Sequence, residues 1–276
     1  MNTDEFRWRS IDDLNIYGKY WTPDKDVKAV VCLVHGMGEH CGRYAHVAEY
    51  LTHGGIAVVA YDQRGHGKSE GKRGHTPSYD HLLQGVENLI YKGRELFPET
   101  PVILYGHSMG GNLALNYALR KNDRLNGVIA SSPWLRLAFE PPAFQVRLAR
   151  FMRRIYPAFS QATRLDTKAI SRIPEEVKKY EQDPLVHDRI TAMMFTEVYE
   201  AGLWALDHAE ELEIPLLIYH GTADRITSYQ ASQEFASKAK GDVTLKLFEG
   251  AFHETHNDLC RDEVLTLIKS WIEEHI

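Results

Sequence analysis

Five short stretches of the chain are apolar at consecutive positions: Ala29–Val34, Ile56–Ala60, Val102–Tyr105, Gly127–Ala130 and Leu216–Tyr219. Such a run is expected of a strand buried on both faces, as in a parallel sheet. A sixth strand-like segment is Val243–Phe248. Between them lie segments with helical periodicity, at 44–53, 79–96, 110–121, 229–240 and 263–275. Strands alternating with helices predict a mostly parallel sheet covered on both sides. The early segments Phe6–Arg9 and Ile16–Trp21 alternate apolar with polar residues instead, which predicts an antiparallel hairpin at one sheet edge.

The alternation breaks between Pro133 and Asp207. No strand pattern is evident there, and helical pieces are punctuated by Pro141-Pro142, Pro157, Pro174 and Pro184. The expected organisation is a core of residues 1–133 and 207–276, with 134–206 inserted as a helical cap over the C-terminal edge of the sheet. Within the insertion, Phe144, Leu148, Phe151, Met152 and Ile155 share one helix face, and Arg147, Arg150, Arg153 and Arg154 lie on the other side. Two readings stand open: a core-facing stripe with a solvated basic back, or an interfacial helix that touches anionic lipid.

Composition narrows the class. A chain of 276 residues, 43% hydrophobic and 25% charged, reads as soluble and globular with material for a large core. A net charge of −6 argues against nucleic acid as a partner. The N-terminus lacks the basic start and apolar run of a signal peptide, and no run of 18 apolar residues occurs. Cys32, Cys41 and Cys260 fit no zinc or disulfide spacing. A cytoplasmic location, ordinary thiols, and no metal or cofactor are the expectations.

Gly106-His107-Ser108-Met109-Gly110 follows one predicted strand and opens one predicted helix. Strand, G-x-S-x-G and helix together are the layout of a nucleophile elbow, where a serine sits at the apex of a sharp turn. A serine nucleophile needs a base, and the base needs an orienting acid. In the α/β-hydrolase order the acid comes before the histidine. Asp224 lies just past the Leu216–Tyr219 strand, whereas Asp207 lies before it, on the wrong edge of the sheet. His253 follows the last strand and precedes the final helix, with His256 as the nearest competitor. Two backbone donors for an oxyanion are expected from Met109 N–H, after the nucleophile, and Met37 N–H in the loop His35-Gly36-Met37-Gly38. The Asp62–Ser69 loop reads mainly as a structural turn.

Several stretches occur in order along the chain. They are His35-Gly36-Met37-Gly38-Glu39-His40 with Arg43-Tyr44, the Asp62–Ser69 loop, Gly106–Gly111, Gly221–Arg225 and Glu249–His253. Together they resemble the monoacylglycerol lipase family of serine hydrolases over nearly the whole chain, and Tyr180-Glu181-Gln182-Asp183-Pro184-Leu185 is similar to a further family motif. The resemblance implies an α/β-hydrolase fold, a triad of Ser108, Asp224 and His253, and an oxyanion hole of Met37 and Met109. It also implies that Glu39, Arg43, His107 and Tyr180 line the polar end near a glycerol moiety. The expected activity is cleavage of monoacylglycerol esters, with Met193, Met194, Trp204 and Phe144 sheltering the acyl chain. Lysophospholipids, short-chain esters or thioesters are the alternative substrates, and a non-enzymatic binding protein is the rival class.

Overall fold

The apolar runs become the central strands of the protein in a computed structural model that describes residues 1–121 and 124–276. In chain order the elements are β1 (Asn2–Arg9), β2 (Asn15–Thr22), β3 (Ala29–Val34), α1 (Ala45–His53), β4 (Ile56–Tyr61), α2 (Tyr79–Leu96), β5 (Val102–His107), α3 (Met109–Arg120) and β6 (Gly127–Ser131). There follow α4 (Ala143–Ile155), β7 (Ser160–Ala162), α5 (Pro174–Gln182), β8 (Arg189–Thr191) and α6 (Ala192–Asp207). The chain ends with β9 (Leu216–Gly221), α7 (Tyr229–Lys238), β10 (Val243–Phe248) and α8 (Arg261–Glu274).

Eight of the strands form one sheet in the order β1-β2-β4-β3-β5-β6-β9-β10. From β4 to β10 the neighbours run parallel, while β1 and β2 make the antiparallel hairpin at the edge. This is the α/β-hydrolase fold.

The consecutive apolar runs are explained by two cores. Val30, Cys32 and Val34 of β3 join Val86, Leu89, Leu113 and Phe235 on one face of the sheet. Their neighbours Ala29, Val31 and Leu33 join Val47, Leu51, Ile268 and Trp271 of α1 and α8 on the other. Side chains in a strand alternate sides, so a sheet covered twice needs apolar residues at every position.

The region between β6 and β9 departs from expectation in two ways. It contains the three-residue strands β7 and β8, paired antiparallel as Ser160↔Thr191 and Ala162↔Arg189, which no apolar pattern announced. Its last helix, α6, packs into the core rather than above it: Asn112 and Asn116 of α3 donate side-chain hydrogen bonds to Val198 O and Ala201 O. Val198, Ala201 and Ala205 are buried there.

Helix α4 corrects the core-stripe reading. Phe144, Leu148, Phe151 and Ile155 are 67%, 55%, 57% and 64% exposed, and Val146 is the buried residue of the helix. Two of the arginines turn to the protein instead, where Arg150 pairs with Glu200 and Arg153 with Glu197 and Glu200 of α6, while Arg147 and Arg154 stay exposed. Ion pairs fasten this helix, and its apolar ridge faces outward.

Candidate active site

Ser108 lies between the end of β5 and the start of α3, with φ 53° and ψ −115°. A positive φ is costly for a side chain with a Cβ, and the surrounding packing must enforce it. Close approach explains the two flanking glycines. A Cβ on Gly106 would overlap Gly110 O, and one on Gly110 would overlap Val34 O. The strain aims the serine out of the strand line at the N-terminus of α3. Met109, the first residue of that helix, has an N–H with no intrahelical partner. Ser108 Oγ itself makes no hydrogen bond among the described residues.

Asp224 and His253 meet from separate loops. His253 Nδ1 lies 2.6 Å from Asp224 Oδ2, and both side chains are buried. Ile226 N and Thr227 N donate to the other carboxylate oxygen at 2.7 and 3.1 Å. Burial alone would raise the Asp224 pKa, but the charge and hydrogen bonds of His253 and His220 hold it well below the usual carboxylate range. Burial alone would lower the His253 pKa, and the Asp224 carboxylate outweighs it, leaving the histidine above its ordinary value. His253 is tied beside the elbow, since Ser132 Oγ donates to its carbonyl at 2.8 Å and its ring lies 4.8 Å from that of His107. Its competitor His256 stays away from Asp224: the ring stacks on Tyr44, both nitrogens lack hydrogen-bond partners among the described residues, and burial lowers its pKa to about 3.

The glycine loop before α1 is held open by a carboxylate. Glu39 Oε1 accepts from Gly36 N and from Tyr44 Oη, both at 2.7 Å, while Oε2 accepts from Arg43. Met37, between the anchored Gly36 and Gly38, keeps an N–H with no protein acceptor among the described residues. From the insertion, His187 N donates to Gly38 O at 2.8 Å and Asp183 pairs with His40, so the insertion rests on this loop.

Arg43 lies between two carboxylates, bonding Glu39 and making a two-pronged contact with Glu254 at 2.7 Å. Burial opposes its charge, but Glu254 and Glu39 hold it well above the ordinary arginine value. Burial likewise opposes the Glu254 charge, and Arg43 draws that carboxyl down to about 2. The Tyr180 ring covers the Arg43 guanidinium at 4.7 Å. His107 Nδ1 bonds Ser131 Oγ at 3.1 Å, and its Nε2 and the Tyr180 hydroxyl make no hydrogen bond among the described residues.

A family model described as "Serine aminopeptidase, S33" matches residues 25–260. The monoacylglycerol lipase of Mycolicibacterium smegmatis is 33% identical over 99% of this chain and 98% of its own length. The monoglyceride lipase of Rattus norvegicus is 32% identical over 96% of this chain and 89% of its own. The chain belongs to the monoacylglycerol lipase family. An abhydrolase-domain protein of Dictyostelium discoideum is 38% identical over 93% of this chain, which spans 27% of that relative's length. Among solved structures, the monoacylglycerol lipase of Paleococcus ferrophilus matches with TM-score 0.85 and 37% identity over the full length of both chains. A soluble variant of the Saccharomyces cerevisiae monoglyceride lipase, at 23% identity and TM-score 0.90 over 100% of this chain and 96% of its own, shares the fold.

Of the nine site residues named from sequence, His107, Ser108 and Met109 lie at the elbow, Asp224 and His253 pair with the His253 ring against His107, and Met37, Glu39, Arg43 and Tyr180 gather at the glycine loop; the residues named for acyl shelter divide. Met194 is wholly inside the core, Trp204 stacks on His208 and on the Arg120 guanidinium, and Phe144 faces outward. Sequence reasoning also missed Glu254, Thr227, Ser132 and His220. Glu254 adjoins His253 and was legible as a buried carboxylate only once Arg43 had been placed opposite it. Thr227 Oγ1 sits within 3.2 Å of both Asp224 Oδ2 and His253 Nδ1, a contact across 26 residues that no local pattern marks.

Proposed function

We propose that this chain is a serine esterase that hydrolyses monoacylglycerols to glycerol and a fatty acid, with Ser108, His253 and Asp224 as its triad. Ser108 Oγ attacks the ester carbonyl while His253 Nε2 takes its proton. Asp224 keeps the imidazole in the tautomer protonated at Nδ1 and stabilises the cation that forms. Met37 N–H and Met109 N–H receive the oxyanion, each donor worth about 3–4 kcal/mol of barrier. His253 returns the proton to the departing glycerol oxygen, and water then cleaves the acyl-enzyme by the same steps in reverse roles. The observation that carries this reading is the 2.6 Å contact of His253 with a saturated carboxylate beside a strained serine.

The leaving alcohol meets the polar end of the site, where Glu39 and Arg43 shape the floor and His107 Nε2 and the Tyr180 hydroxyl are open to bond it. Two buried carboxylates against one guanidinium leave this end negative, which favours a neutral polyol over a phosphate-bearing head group. Within the inserted residues 134–206, the part that precedes α6 acts as the cap, resting on the oxyanion loop through His187 and Asp183. The outward ridge of α4, flanked by Arg147 and Arg154 without ion-pair partners among the described residues, rests on the surface of anionic lipid and brings the substrate to the site. No helix among the described residues is long and apolar enough to cross a membrane, and the location we propose is cytoplasmic with peripheral lipid contact. Turnover of a monoacylglycerol against a lysophosphatidylcholine with the same acyl chain tests the substrate: the reading expects the glycerolipid to be preferred, and preference for the charged head group overturns it.

A further inference from the structure

Asp224 carries two histidines, not one. His220, the fifth residue of β9, is fully buried, and its Nε2 lies 2.9 Å from the same Oδ2 that accepts from His253. Its other ring nitrogen, Nδ1, lies 2.8 Å from the hydroxyl of Ser232, a fully buried residue of α7. An ionised carboxylate repels a lone pair, so the neutral ring must present Nε2–H to Asp224 and a lone pair at Nδ1. The Ser232 hydroxyl then donates to Nδ1, and hydrogen bonds in such a chain strengthen one another. Thr227 Oγ1, which lies 3.0 Å from Ser132 O, sits between the two imidazoles and keeps them apart.

We propose that His220, locked in one tautomer by Ser232, is a positioning residue that shares the charge of Asp224 and so limits how much of it reaches His253. The proposal rests on the triad reading given above. A carboxylate oxygen bonded by two imidazoles stabilises each less than it would stabilise one alone. Withdrawing the His220 donor leaves Asp224 to be satisfied by His253, which favours the imidazolium and removes the neutral base at a higher pH. Glu39 and Glu254 also act on His253, as do the rings of His107 and His256, which Arg43 influences in turn, but all five are unchanged by substitutions at 220 and 232. The difference between variants therefore reports on His220.

The test is the pH profile of kcat/KM on a soluble short-chain ester for the wild type, His220→Leu, His220→Gln and Ser232→Ala, with thermal melting alongside. His220→Leu should move the acid limb upward by about 0.5–1 pH unit, the effect of withdrawing part of a charged hydrogen-bond set. Ser232→Ala should move it the same way by less, since the donor is weakened rather than lost. His220→Gln, whose amide can donate to the same oxygen, should restore the wild-type limb. An unmoved limb in folded His220→Leu, even with lower kcat, would assign His220 a structural role and overturn the proposal. If that variant does not fold, an unmoved limb in Ser232→Ala does the same. Failure of the triad reading looks different, because Ser108→Ala would then keep hydrolysing the ester.

Discussion

Asp224 Oδ2 stands 2.6 Å from His253 Nδ1, and four further donors, His220 Nε2, Thr227 Oγ1, Ile226 N and Thr227 N, converge on the same carboxylate. A carboxylate so enclosed keeps its charge and its direction, which fixes the proton of His253 on Nδ1 and, in the proposed triad, leaves Nε2 for Ser108. Asp224→Asn keeps the shape but offers an amide that can donate to the histidine, favouring the wrong tautomer. We expect kcat to fall by about 10³–10⁴-fold with melting behaviour close to wild type. A fall of less than tenfold would show that the contact does not orient the base.

The pH dependence follows from the same pair. Asp224 holds the His253 pKa above its ordinary 6.5, against the effect of burial. In the proposed mechanism the base must be neutral to accept the Ser108 proton, so kcat/KM should fall as pH drops through a pKa above that value and recover on the alkaline side. A profile with its acid limb below pH 6 would contradict this arrangement.

Arg43 is predicted to matter for stability as well as for turnover. Removing it with Arg43→Ala leaves Glu39 and Glu254 buried and uncompensated, a change expected to cost about 3–5 kcal/mol. Denaturant unfolding measures this directly. Because Glu39 anchors Gly36 N, the loop carrying Met37 should loosen too, and kcat should fall in whatever fraction remains folded. Unfolding at the wild-type midpoint would show that the two carboxylates are satisfied without the guanidinium.

The outward ridge of α4 gives a separate prediction. Cosedimentation with anionic vesicles should be strong at low salt and weaker, though still present, at high salt, as the arginine contribution is screened. Leu148→Asp with Phe151→Asp should cut binding by tenfold or more, since each apolar side chain buried in lipid contributes roughly 1.5–3 kcal/mol. Both residues are exposed, so the melting temperature should hold. No binding at either salt would contradict a lipid-docking role.

How much of this was legible in the sequence depends on the distance over which the physics acts. The strands at Val30–Val34 and Leu216–Tyr219 were plain because burial on both faces requires apolar residues at every position. The elbow was plain because Gly106 and Gly110 are needed where the backbone crosses itself. Helix α4 showed its periodicity but not its direction. The same stripe of Phe144, Leu148 and Phe151 suits a core or a lipid surface, and the partners that decide it, Glu197 and Glu200, lie almost fifty residues on. Strands β7 and β8 are three residues each, too short to carry an alternation. His220 follows the apolar run Leu216–Tyr219 with nothing to mark it until the fold placed Asp224 and Ser232 against its two nitrogens.

The central claim is that Ser108 is the nucleophile. Peptide mass spectrometry after treatment with a fluorophosphonate probe tests it most directly. The account predicts one adduct, on Ser108, lost in a folded Ser108→Ala variant that no longer hydrolyses monoacylglycerol. An adduct on another residue, or hydrolysis undiminished in Ser108→Ala, would contradict it.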